Sequence, residues 1–112
     1  MPTARVSRGR MTQSLTAAHF AANGWPNAES RPASLPGVDI MGMPGLAPEV
    51  KATAGQDFTG ALRQARRNAD GKLPFVIYRP AGYGPEKIND WLVVFSLGDA
   101  TDLLRQAGYA EA

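Results

Sequence analysis

The stretch from Pro36 to Ala52, Pro-Gly-Val-Asp-Ile-Met-Gly-Met-Pro-Gly-Leu-Ala-Pro-Glu-Val-Lys-Ala, constrains this chain more than any other. It reads as a strand, a tight turn at Pro44-Gly45 and a second strand. Successive side chains in a strand point to opposite faces. Val38 and Ile40 therefore point one way and Asp39 the other, while Glu49 and Lys51 share a face and Val50 takes the opposite one. The hairpin brings an acid of one strand close to an acid and a lysine of the next. Two carboxylates at hydrogen-bonding distance resist joint ionisation unless a cation lies between them. The usual cation for carboxylate and carbonyl oxygens is a hard divalent ion such as Mg²⁺. The plainer alternative has Asp39 capping a turn and Glu49 with Lys51 facing solvent, although strands disfavour an Asp among residues such as Val38, Ile40 and Met41.

A chain of 112 residues makes one domain, 1–112, with no room for a second core. An apolar content of 44% against 20% charged residues is that of a globular protein rather than a disordered one. The absence of cysteine excludes disulfides and thiolate–zinc sites and fits a cytoplasmic location. No apolar run approaches the roughly 20 residues of a membrane span. Arg5, Arg8 and Arg10 are followed by no apolar stretch of the kind a signal peptide needs. The net charge of +2 is too small to argue from, but its distribution is not even. Arg63, Arg66, Arg67, Lys72 and Arg79 crowd the middle of the chain, where Asp70 is the only acid between Gly60 and Gly84. Clustered cations attract phosphates, and a solvated helix face is the ordinary alternative.

Residues 1–11 read as a flexible basic arm. Thr12 is placed to cap a helix to about Ala22, ended by Asn23-Gly24. Lone His19 is a packing or surface residue rather than a ligand. Asn27 to Ser34 reads as a short edge strand carrying Glu29 and Arg31. Asp57 caps a helix from Phe58 to about Ala69, with Phe58, Leu62 and Ala65 on its apolar stripe and Arg63, Gln64, Arg66 and Arg67 on other faces. Leu73 to Arg79 is a near-continuous apolar run, as in a central strand covered on both sides. A Gly/Pro-rich loop from Ala81 to Asn89 precedes a last strand, Trp91 to Phe95. Ser96 and Asp99 then start a helix that buries Leu103 and Leu104 and stops at Gly108. Periodicity alone gives a mixed α/β domain.

Gly37-Val38-Asp39-Ile40 followed by Glu49-Val50-Lys51 resembles the D…ExK signature of the PD-(D/E)XK nuclease superfamily, and within it the Holliday-junction-resolvase-like proteins of actinobacterial phage type. The resemblance covers roughly Gln13 to Gly108. It implies a restriction-endonuclease-like αβββαβ core with a central mixed sheet flanked by helices. It implies a Mg²⁺-dependent endonuclease (Mn²⁺ as a substitute) that hydrolyses phosphodiesters of four-way or otherwise branched DNA, working as a homodimer. Asp39, Glu49, Lys51 and Gln64 take the catalytic positions in this resemblance. The metal falls to Asp39, Glu49 and the backbone carbonyl of Val50. Arg8, Arg10, Arg31, Arg63 and Arg67 are the candidate DNA contacts. At the first-helix position where the family usually carries a glutamate, this chain has Gln13, which supplies no negative charge. That departure sustains a second reading, a non-catalytic DNA-binding or assembly module on a decayed nuclease fold. A restriction-type nuclease ranks lower, since the chain is short for a separate recognition domain.

Overall fold

The computed structural model describes residues 4–111, with the side chains of α1 described from Arg8 onward. In chain order the elements are α1 (Ala4–Ala22), β1 (Glu29–Ser30), β2 (Ile40–Met41), β3 (Leu46–Lys51), α2 (Phe58–Asn68), β4 (Leu73–Tyr78), a 3₁₀ segment (Pro85–Asp90), β5 (Leu92–Val94) and α3 (Leu97–Gln106). The result is a small α/β fold around a mixed three-stranded sheet.

That sheet has the order β3-β4-β5. β3 and β4 run parallel, with Glu49 opposite Val76 and Lys51 opposite Tyr78, and β5 returns antiparallel to β4. A parallel pair needs a crossover, and α2 supplies it. Asp57 caps α2 by accepting from the Gly60 N–H at 3.1 Å. Ala61, Ala65 and Ala69 are the buried side chains of this helix and its cap, while Leu62 is only half-buried. Phe58 meets Tyr78 edge-to-face at 5.0 Å. β4 occupies the centre, and its Phe75, Val76 and Ile77 are buried, as a continuous apolar run in a sheet covered on both faces should be.

α1 covers the opposite face. Phe75, Ile77 and Trp91 form one core cluster and Ala17, Ile40 and Met43 another, and Phe20, Leu46 and Val50 pack against both. The alternation along β3 thus sends Leu46 and Val50 toward α1. Lys51 reaches Gln64 of α2 on the other face.

The expected central hairpin is corrected. Its first strand reduces to Ile40–Met41 and pairs with Glu29–Ser30 in a separate two-stranded antiparallel ladder. Among the described residues of this segment, Asp39 makes the ladder-like contact toward β3. Its N–H donates to the Pro48 carbonyl at 3.2 Å. Its carboxylate accepts from the Val50 N–H at 2.7 Å, where a partner strand would offer a carbonyl. Pro48, which lacks an N–H, is tolerated because β3 is an edge strand. Gly42 fixes the exit from β2. Its φ is +79°, and a Cβ there would sit 1.9 Å from the carbonyl oxygen of Asn27.

Two helix expectations also change. α1 begins at Ala4, not after Thr12, so the basic arm is largely helix, and Met1 to Thr3 and the Arg5 side chain lie outside the described residues. Thr12 is not a cap but a fully buried mid-helix residue whose hydroxyl accepts from Arg79 Nη1 at 3.1 Å. α3 is capped as expected, Ser96 accepting from the Asp99 N–H at 3.2 Å. It buries none of its residues, however, and Leu104 is exposed. It follows the edge strand β5, beyond which the sheet offers no further face.

Candidate functional site

Asp39 precedes β2 and lies against the open edge of β3. Its carboxylate is tied on both oxygens: Oδ1 accepts from Arg31 Nη2 at 3.3 Å, and Oδ2 from the Val50 N–H. Glu49, on β3 beneath α2, is only 3% exposed. Its Oε1 lies 3.5 Å from Lys51 Nζ. Lys51 Nζ in turn donates to Gln64 Oε1 at 2.8 Å. The fold therefore joins Arg31, Asp39, Glu49, Lys51 and Gln64 into one polar constellation drawn from four separate segments. Val50 belongs to it through its peptide N–H.

The Asp39 carboxylate is near enough for its charge to act on the Glu49 carboxyl. Burial, and after it the Asp39 charge, push the Glu49 carboxyl up to about 7, and Lys51 opposes them only in part. Near neutral pH the Glu49 carboxyl is therefore only partly ionised. A divalent cation beside the two acids would favour their ionised forms. Among the described residues no group of three or more His, Cys, Asp or Glu side chains could hold a metal ion. Two carboxylates with a backbone oxygen and water nevertheless fit Mg²⁺, which commonly keeps several waters and takes one or two protein carboxylates.

Gln13 has a role that its position in sequence did not disclose. Its amide Nε2 donates to the carbonyls of Asp39 at 2.7 Å and Arg31 at 3.2 Å. It braces the backbone that carries Asp39. A glutamate at this position would turn an acceptor toward two acceptors. Only the two carbonyls, brought together by the fold, give this glutamine its meaning.

The cations divide. Arg10, Arg63 and Arg67 are exposed. Arg10 lines a cleft of about 330 Å³ with Gln13, Ser14, Ser30 and Arg31. Arg8 is half-buried and its Nε donates to the Ala52 carbonyl at 3.5 Å. Arg31 is largely occupied within the protein, since Nε donates to the Val38 carbonyl at 3.0 Å and Nη1 to the carbonyls of Pro32 and Leu35, in addition to Asp39. Arg79 leaves the phosphate-attracting cluster altogether. It is buried, donates to Thr12 and to the Tyr83 carbonyl, and lies 5.2 Å from the Trp91 ring centre. Burial, and then neighbouring Arg8, lower its pKa.

Compared with protein families, curated proteins and solved structures, the chain matches none. Among the described residues no helix is long and apolar enough to cross a membrane.

Proposed function

We propose that this protein is a metal-dependent, structure-selective DNA endonuclease of the Holliday-junction-resolvase kind, built on a PD-(D/E)XK-like αβββαβ core. The observation that carries the reading is the buried Asp39–Glu49 pair with Lys51 and Gln64 beside it. Asp39, Glu49 and the Val50 carbonyl would hold Mg²⁺ or Mn²⁺. When bound, the ion supplies a Lewis acid that polarises a phosphate and makes a water acidic near neutral pH. Lys51 Nζ, held by Gln64 Oε1, offsets negative charge as it builds on the phosphoryl oxygens. Gln64 fixes the direction of that ammonium, and its remaining amide donors are free to orient water or phosphate. Arg10, Arg63 and Arg67, with Arg8 and Arg31 nearer the site, bind backbone phosphates, contacts that position a duplex without reading its bases. Two copies, each with one site, give two cuts on opposite arms of a branch. The reading places the protein in the cytoplasm, with DNA.

A second reading has its own support. Arg31 and Lys51 already pair with the two acids, and Gln13 adds no charge. A decayed site that binds DNA or assembles without cutting has this balance. A labelled four-way junction incubated with Mg²⁺ or Mn²⁺ separates the two. Cleavage by the parent, lost in Asp39→Asn and Lys51→Ala with binding retained, supports the enzyme. Binding without cleavage by the parent supports the second reading, and equal cutting of linear duplex rejects branch selectivity.

A further inference from the structure

A cavity of about 160 Å³ opens where α1, the 3₁₀ segment and strands β4 and β5 meet. It is separate from the acidic site: none of Arg31, Asp39, Glu49, Lys51 or Gln64 lines it. Phe20 of α1, Ile77 of β4 and Trp91 make its apolar wall, and Ile77 and Trp91 are buried. Thr16 and His19, three or four positions before Phe20 or next to it on the same helix, and Asn89 of the 3₁₀ segment bring polar groups to it. Among the described residues no Asp, Glu, Lys or Arg lines it.

Each of those polar groups has hydrogen-bonding capacity to offer. Thr16 is buried, and its hydroxyl donates to the Thr12 carbonyl at 2.7 Å. The proton is thus spent, and the lone pairs of the oxygen remain to accept. Asn89 is exposed, so its amide stands at the open side with both donors and an acceptor. His19 is half-buried, and each imidazole tautomer pairs one donor with one acceptor.

Size and chemistry together select the occupant. An apolar cavity of about 150 Å³ accommodates one benzene ring. A fused bicyclic ring is too large for this one. A charged ligand finds no opposite charge in the lining, and a wholly apolar ring leaves the Thr16 oxygen without a donor. The fit is to a neutral six-membered ring, flat against aromatic walls and edged with N–H and C=O groups. We infer that this cavity binds a pyrimidine base, its ring against Phe20 and Trp91 and its polar edge toward Thr16, His19 and Asn89. Aromatic contact and hydrogen bonds to the base edge are the two interactions that hold a base taken out of its stack. The base comes from a free nucleoside or from a nucleotide turned out of a DNA strand. The second source rests on the nuclease reading; the cavity itself does not.

Titration of the full chain with thymidine tests it, followed by calorimetry and by the indole N–H resonance of Trp91. A dissociation constant on the order of 1 mM is expected for so small a ligand. Adenosine should bind about 10-fold more weakly, because its second ring overfills the cavity. Asn89→Leu should weaken thymidine about 5-fold, the loss of one hydrogen bond. Val93→Phe, at an exposed lining position, fills the cavity and should abolish binding while circular dichroism stays that of the parent. Arg63→Ala, on α2, should change nothing. No response to thymidine up to about 20 mM overturns the inference. So does adenosine binding as tightly as thymidine, or binding that survives both cavity variants. An all-thymine single strand that displaces thymidine supports the site with DNA as the source; thymidine binding without such displacement supports it with a free nucleoside. Junction cleavage is scored separately: cutting without thymidine binding defeats only the cavity, and thymidine binding without cutting defeats only the nuclease reading.

Discussion

Gln13→Glu exchanges a single heavy atom, the amide nitrogen for an oxygen, and should damage the protein more than its near-identical shape suggests. The Gln13 amide nitrogen donates to Asp39 O at 2.7 Å and Arg31 O at 3.2 Å, from a half-buried position. Each such bond is worth about 1 kcal/mol net. A carboxylate there loses both and adds the cost of facing two carbonyl dipoles and the Asp39 charge behind them. The expected loss is about 3 kcal/mol at pH 8, against about 2 kcal/mol for Gln13→Ala, which only deletes the bonds. In a domain of this size that amounts to a fall in Tm of roughly 10 °C. Below the pH at which the new carboxyl is protonated, its O–H can donate one bond and part of the loss returns. Urea unfolding in EDTA at pH 5 and pH 8 measures both values. If Gln13→Glu equals or exceeds the parent in stability at pH 8, the bracing role is wrong and the position is open to a metal-supporting acid.

Three further outcomes follow from the same geometry. Glu49 is raised from 4.5 to about 7 by burial and Asp39, so the folded state prefers the protonated acid. Its contribution to stability is fully present below pH 4.5 and is lost as pH rises through 7, on the order of 3 kcal/mol. Unfolding of the metal-free parent should show that decline between pH 5 and 8, and Glu49→Gln should flatten it; an unchanged slope in the variant refutes the assignment. Arg79→Met strands the Thr12 hydroxyl and the Tyr83 carbonyl and removes the cation over Trp91. It should cost about 2–4 kcal/mol in denaturant unfolding and change Trp91 fluorescence, whereas Arg67→Met, on the surface, should stay within about 0.5 kcal/mol. Gly42→Ala drives a methyl into the Asn27 carbonyl at a φ of +79°. A backbone atom cannot rotate away, so a loss of about 3 kcal/mol or more is expected in the same assay, and a near-neutral result would show that this crossing yields easily.

Local chemistry was legible in the sequence. Asp57 and Ser96 cap the helices they precede because a short oxygen-bearing side chain needs only the next three residues to find its N–H. The apolar run from Leu73 marked the central strand, and strand alternation put Glu49 and Lys51 on one face. What a side chain meets across the fold was not legible. Val38 to Met41 carries the alternation of a hairpin strand, yet the Val50 N–H goes to a carboxylate and the strand pairs with Glu29–Ser30 instead. Arg79 looks like any surface cation until the packing of α1 and Trp91 encloses it. Leu103 and Leu104 are apolar enough to suit a core, but whether a core exists beside them depends on where the sheet ends. Periodicity fixes direction along one element; burial and partners depend on elements distant in sequence, and those only tertiary packing brings together.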